Sequence, residues 1–242
     1  MGRLVSENDR RVAIITGGSQ GIGEALVAAY RGRGWAVVAN ARTIEPSQDP
    51  DVLTVEGDIT KPAAADRIVA GALERFGRID TLVNNAGVFV SKPFTDYTAE
   101  DYALITGVNL GGFFWLTQRV IAEMAARYGG HVVNISATLA EVANSHSPSV
   151  LPALTKGGLA AATRSLAVEY ASRGIRVNAV SPGIIQTPVH SPDSYEGLGD
   201  QLPPLGRVGQ VSDVVGAILF LESSPYITGE ILHVDGGLTA GH

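Results

Sequence analysis

The chain is 242 residues long, 45% hydrophobic and 17% charged, carries a formal charge of -6 and contains no cysteine. A chain of that size buries a substantial core as one domain, while its negative charge, unrelieved by any run of Lys and Arg, offers no general attraction to nucleic acid or to an anionic membrane face. The absence of cysteine excludes disulfides, thiolate-held zinc and a thiol nucleophile and suits a reducing, cytoplasmic setting; no other metal centre is read from the sequence.

Residues 1–11 are polar and charged with no apolar signal core, and no apolar run approaches the roughly 18 residues that cross a bilayer, so a soluble, unexported protein is expected. Beyond them, apolar runs of strand length alternate with segments of helical period along the whole chain. Strands are expected at 11–16, 36–40, 52–56, 81–84, 130–136, 176–181 and 231–234. Helices should lie between them. The first presents Ile22, Ala25, Leu26 and Ala29; Thr60 caps a second with Pro62 in its first turn. The helix after Lys156 presents Leu159, Ala162, Thr163, Leu166, Ala167 and Tyr170, and Ser212 caps the one with Val214, Val215, Ile218 and Leu219. Residues 137–151 and 190–206 read as loops beside a site. The pattern is α/β: a Rossmann-type, doubly wound parallel sheet of seven strands with helices on both faces, in a single domain over residues 1–242.

The loop Thr16-Gly17-Gly18-Ser19-Gln20-Gly21-Ile22-Gly23 follows the first strand and opens a helix. Glycine there lets backbone approach a pyrophosphate, and the N–H groups at the helix start favour its negative charge. A glycine-rich turn also occurs for steric reasons alone, but placement after the first strand of a repeated β/α pattern points to a nicotinamide dinucleotide.

From this loop onward the chain resembles the short-chain dehydrogenase/reductase family over nearly its whole length. The resemblance rests on Asp58, on Asn84-Asn85-Ala86-Gly87, and on Asn109 in Val108-Asn109-Leu110. It continues through Thr155-Lys156-Gly157-Gly158-Leu159, Ser181-Pro182-Gly183-Ile184-Ile185-Gln186-Thr187, Tyr226-Ile227-Thr228-Gly229 and Val234-Asp235-Gly236-Gly237. It implies cofactor contacts from Gly17, Ser19, Gln20, Gly21, Ile22, Gly23, Arg42, Thr43, Asp58, Ile59, Asn85, Ala86, Gly87, Lys156, Pro182, Gly183, Ile185 and Thr187. Asp58 would bond the adenine, and residues 182–187 would contact the nicotinamide carboxamide. Catalytic roles fall on Asn109, Lys156 and Thr138. Taken singly, each motif also reads as a turn or a cap.

An acidic residue at the end of the second strand selects NAD through the ribose 2′-OH, whereas a neutral residue followed by Arg suits a 2′-phosphate. Here Ala41 stands where NAD-selective members carry Asp, followed by Arg42 and Thr43. NADP(H) is therefore expected rather than NAD, against the alternative that Arg42 is an ordinary solvated side chain.

The family's catalytic tyrosine lies four residues before the lysine, and that position is Pro152; its serine position falls on Ala137, with Thr138 next. Pro152 suits a helix's first turn but has no proton to exchange. Replacement donors are His146, His190, a water held by Asn109 and Lys156, or a phenol or enol of the substrate itself. Two readings follow. One is an NADP(H)-dependent reductase of a small-molecule carbonyl, with a non-standard proton donor; the other is an NADP(H)-binding protein without redox turnover, a sensor or an inactive assembly partner. A lyase or isomerase in the inherited pocket has no positive feature in its favour. The resemblance also implies a homotetramer, built through the helices around 109–128 and 155–170 and the carboxy-terminal segment, with the tail 238–242 reaching a neighbouring subunit's site.

Overall fold

The computed structural model describes residues 10–187 and 203–241. Among them, seven parallel strands form one sheet in the order β3-β2-β1-β4-β5-β6-β9. They are β1 (Val12–Thr16), β2 (Ala36–Ala41), β3 (Val52–Glu56), β4 (Thr81–Asn84), β5 (Gly130–Ile135), β6 (Ile175–Pro182) and β9 (Ile231–Val234). The helices are α1 (Gly21–Gly32), α2 (Pro62–Phe76), α3 (Ala99–Thr106), α4 (Phe113–Arg127), α5 (Val150–Tyr170) and α6 (Val211–Ser223), and two-residue strands β7 (Ile185–Gln186) and β8 (Gly209–Gln210) pair beside the sheet.

Alternation along each strand divides the core in two. Val12, Ile14, Val38, Leu82, Val132 and Val177 pack with Ile68, Leu116, Met124 and Ala167 under α2, α4 and α5. Ala13, Ile15, Val37, Val83, Val133 and Val180 pack with Leu26, Tyr30, Val214 and Ile218 under α1 and α6. A strand buried on both faces has no polar side to display, which is why β1 reads as an unbroken apolar run. The chain winds outward from β1 to β2 and β3, then returns to place β4 on the other side of β1. That reversal opens a crevice at the carboxyl ends of β1 and β4, the place where open α/β sheets bind ligands.

Several expectations are corrected in detail. Pro62 occupies the first position of α2, so the cap slot falls to Lys61, and Thr60 instead donates its N–H to Asp58 at 3.0 Å in the turn before it. Gln210, not Ser212, caps α6, because the Asp213 carboxylate reaches back to the Gln210 N–H at 2.8 Å. The buried stripe of α1 is Gly23, Leu26 and Tyr30, with Ile22, Ala25 and Ala29 only half-buried. The loop expected over 137–151 holds a short 3-10 turn at Thr138–Ala140 and yields its last two residues to α5. Strand ends move by one residue at β1, β2, β5 and β6, whereas β3, β4 and β9 fall where expected.

At the amino-terminal ends of the strands, opposite the crevice, a buried carboxylate ties α6 and α1 to β4 and β5. Glu222 accepts from the Tyr30 hydroxyl (3.0 Å), the Thr81 hydroxyl (2.9 Å) and His131 Nδ1 (3.1 Å). His131 Nε2 faces the Asn178 amide nitrogen at 3.1 Å, which assigns Nε2 as acceptor and Nδ1 as donor. Burial lowers the His131 pKa although the Glu222 carboxylate works against that shift; burial tends to raise Glu222, but its bonds to His131, Thr81 and Tyr30 hold it below the usual glutamate value. The result is a neutral imidazole beside an ionised carboxylate.

Candidate active site

The glycine loop closes on itself at the head of the crevice. Gly21 has φ +58°, a left-handed conformation that strains any side chain-bearing residue, and a Cβ there would face Thr187 at 3.8 Å. At Gly23 a Cβ would lie 2.0 Å from the Gly17 carbonyl oxygen, so the first turn of α1 sits directly on the loop. Gln20 stands at the cap position of α1 and makes no side-chain bond to the first-turn N–H groups of Gly21, Ile22 and Gly23. Ser19 and Gln20 are exposed beside them. Such a helix start, with backbone bare of side chains, fits a dinucleotide pyrophosphate.

The tail of β4 braces this loop. Asn85 directs its amide nitrogen to the carbonyls of Thr16 (2.8 Å) and Gly17 (3.3 Å). The Thr16 hydroxyl in turn accepts the N–H groups of Asn85 (3.0 Å) and Ala86 (2.9 Å). Thr16 is thus a structural hub that sequence reasoning quoted but did not single out, since its partners lie 69 and 70 residues away. Asn84 is buried and bonded to Thr117 and Asn134. Gly87 is exposed.

Between α3 and α4 the chain makes a π-helical turn, Gly107–Gly112, centred near Asn109. An inserted residue of this kind disturbs the regular ladder and recurs at functional sites. The buried Asn109 side chain accepts the Val88 N–H at 2.9 Å and donates to the Val88 carbonyl (3.1 Å) and the Thr155 hydroxyl (3.0 Å). Thr155 then donates to the Pro152 carbonyl at 3.0 Å. Thr155, also not singled out from sequence, joins the π turn to the start of α5.

Lys156 lies one turn beyond Pro152 on α5 and donates from Nζ to the Ile135 carbonyl at 2.7 Å. A Cβ on Gly87 would stand 3.3 Å from that Nζ and 3.5 Å from Asn109 Oδ1, which places Gly87, Asn109 and Lys156 together at the crevice. Burial draws the Lys156 pKa down from 10.5 to about 8. Ser136 is buried and donates to the Lys156 backbone carbonyl at 3.1 Å; Ala137 and Thr138 follow it into the 3-10 turn.

The remaining residues flank this centre. Arg42 and Thr43 are exposed just past β2, across from Asp58. Partial burial favours a raised Asp58 pKa, but the Thr60 bonds, with Lys61 and Arg42 nearby, hold the carboxylate below its usual value. The Ile59 side chain is buried and packs beside Gly112. Pro182 ends β6, and a Cβ on Gly183 would come within 2.9 Å of the Asp235 backbone. Asp235 itself receives the Gly237 and Thr239 N–H groups at 2.9 and 2.8 Å, which folds the carboxy-terminal segment onto residues 182–183. Ile185 and Thr187 continue from there toward the glycine loop. His146 is exposed in the loop before α5, while His190, most of the loop expected over 190–206 and His242 of the tail lie outside the described residues.

Comparison with known proteins gives relatives that match over nearly the whole chain. A family model described as Enoyl-(Acyl carrier protein) reductase matches residues 17–239. A protein of Streptomyces violaceoruber named as ketoacyl reductase 2 of the granaticin polyketide synthase is 37% identical, over 93% of this chain and 95% of its own. The solved structure of ElxO with NADP bound superposes with a TM-score of 0.87 at 28% identity, covering 96% of this chain and 100% of that one. The 3-ketoacyl-(acyl-carrier-protein) reductase of Brucella melitensis, complexed with NADH, gives 0.84 at 30% identity over 95% and 98%. With its seven-stranded parallel sheet, glycine loop and near-complete coverage by these relatives, the chain belongs to the short-chain dehydrogenase/reductase family of oxidoreductases.

Proposed function

We propose that the protein is an NADPH-dependent reductase of a small-molecule ketone, and that it works without the tyrosine acid of its family. The observation that carries this reading is the meeting of two groups of residues at the switch point. A helix start without a side-chain bond from its cap residue lies on a glycine loop at one end of the crevice, and Gly87, Asn109 and Lys156 lie together at the other. When bound, the dihydronicotinamide supplies a hydride to a carbonyl carbon. The chain's own residues bind and orient: the N–H groups at the start of α1 take the pyrophosphate, Arg42 and Thr43 take the 2′-phosphate, and Asp58 takes the adenine. The segment Pro182, Gly183, Ile185 and Thr187 takes the carboxamide. One solved relative holds NADP and another NADH, so the choice of NADPH rests on Ala41-Arg42-Thr43.

The relatives' names make 3-oxoacyl thioesters a natural first substrate class alongside aryl ketones. Exposed apolar side chains on the long helices, Phe114 on α4 and Leu154 and Val168 on α5, suit a homotetramer, which sedimentation equilibrium would register. A second reading has its own support: Pro152 and Ala137 stand where the family carries its tyrosine and serine, as in a binder that has shed turnover. Fluorescence titration with NADPH, followed by stopped-flow loss of NADPH absorbance against ketones and 3-oxoacyl thioesters, separates the two. Binding with turnover is the expected result. Tight binding with none across the panel favours the sensor, and failure to bind either nucleotide overturns both.

A further inference from the structure

We infer that Lys156 itself delivers the proton to the substrate oxygen, taking over directly from the tyrosine that Pro152 replaces. This rests on the reductase reading above. The described side chains gathered at this end of the crevice are those of Asn109, Ser136, Pro152, Thr155 and Lys156, and Lys156 alone among them is an acid–base group near neutral pH. Asn109 has no proton to offer a relay, because both its amide N–H groups are committed, to Val88 C=O and to Thr155, and its oxygen already takes the Val88 N–H. Among the described residues the ammonium donates to the Ile135 carbonyl at 2.7 Å, and it borders the exposed, side chain-free Gly87, so it reaches the crevice with a route for proton return from solvent.

The surroundings also make it a competent acid. Facing it are the tail of β4 at Gly87, the end of β5 at Ile135 and Ser136, the π turn at Asn109, and its own helix at Pro152 and Thr155; none of these groups is charged. Desolvation is accordingly the sole cause of its lowered pKa, and a donor poised at about 8 is matched to work near neutral pH. In the step, the carbonyl carbon accepts the hydride while the oxygen's electron pair forms an O–H bond with the Lys156 proton. The Nζ–H bond breaks with its electrons left on nitrogen, and solvent reprotonates the amine at Gly87.

Two readouts test this. The chain's three lysines are Lys61, Lys92 and Lys156, so 15N-lysine NMR of the cofactor-free protein, assigned with K61R and K92R, follows each Nζ through its titration. Lys156 should titrate near 8; an inflection above 10 overturns the proposal. With saturating NADPH and a reducible ketone, kcat/KM for the ketone should fall about 30-fold between pH 7 and 9.5, and K156R, which keeps the charge but has no dissociable proton near neutrality, should lower it about 10²–10⁴-fold under the same saturating NADPH. A flat profile, or a limb at pH 6–7 as a histidine donor would give, overturns the proposal but leaves the reductase reading standing. No turnover of any ketone by the unmodified protein overturns both.

Discussion

Gly23→Ala isolates the contact on which nucleotide binding depends. The added methyl would lie 2.0 Å from the Gly17 carbonyl oxygen and 2.7 Å from Asn85 Nδ2, where 3.0 Å is the closest approach that real Cβ atoms make. At least about 1 Å of separation has to open between α1 and the loop, because the Gly17 partner is backbone and the Asn85 amide is held in place by the Thr16 and Gly17 carbonyls. Misplacement on that scale costs on the order of 100-fold where groups must converge on one ligand, or about 2.7 kcal/mol. NADPH affinity, measured by fluorescence titration, is therefore expected to fall about 100-fold, with circular dichroism and the melting curve recorded alongside to show that the variant folds. Gly216→Ala is the matched control: it sits in α6 with nothing within 4 Å of the added atom, and it should leave affinity unchanged. A Gly23→Ala protein that binds NADPH within about threefold of the parent would refute the assignment of this loop to the pyrophosphate.

Arg42→Ala should weaken NADPH about tenfold and leave NADH unaltered, a figure kept small because Arg42 is exposed; equal losses for both nucleotides would remove the 2′-phosphate role. Glu222→Gln exchanges a buried carboxylate for an amide that still faces three donors, with an expected loss of about 3 kcal/mol. Calorimetry should show this as a melting point lower by about 6–12 °C. The same network sets the pH response. His131 and Glu222 both have folded-state pKa values below their ordinary 6.5 and 4.5, so the unfolded chain binds more protons in acid. The contribution of His131 and Glu222 is fully present above pH 6.5 and is lost as pH falls from there, first through His131 and then, below 4.5, through Glu222. Burial raises Tyr30 well above 10, so a second loss begins as pH rises past 10. A melting point flat from pH 7 to 5 would contradict this account.

How much of this was legible in the sequence depends on the range of each interaction. Strand positions and the phase of α5 are local periodicities, and Leu159, Thr163 and Ala167 are buried where the spacing puts them. The glycine loop was legible for the same reason, since one strand and the helix beside it impose its geometry. Pro152 is the plainest case: its distance from Lys156 along one helix is covalent information that no packing can alter. The caps were not legible, because Lys61 and Gln210 gained them through Pro62 and Asp213 rather than through their own side chains.

What only the tertiary structure decided are partners brought together by the winding of the sheet. Asn85 meets Thr16 across 69 residues because β4 returns to lie beside β1, and Asn109 meets Thr155 across 46 because the π turn packs on α5. The same crossing places an uncharged shell around Lys156, turning a helix lysine into a group poised near neutrality. Composition names the ionisable groups, but their desolvation is a property of the assembled sheet and helices, and no stretch of chain contains it.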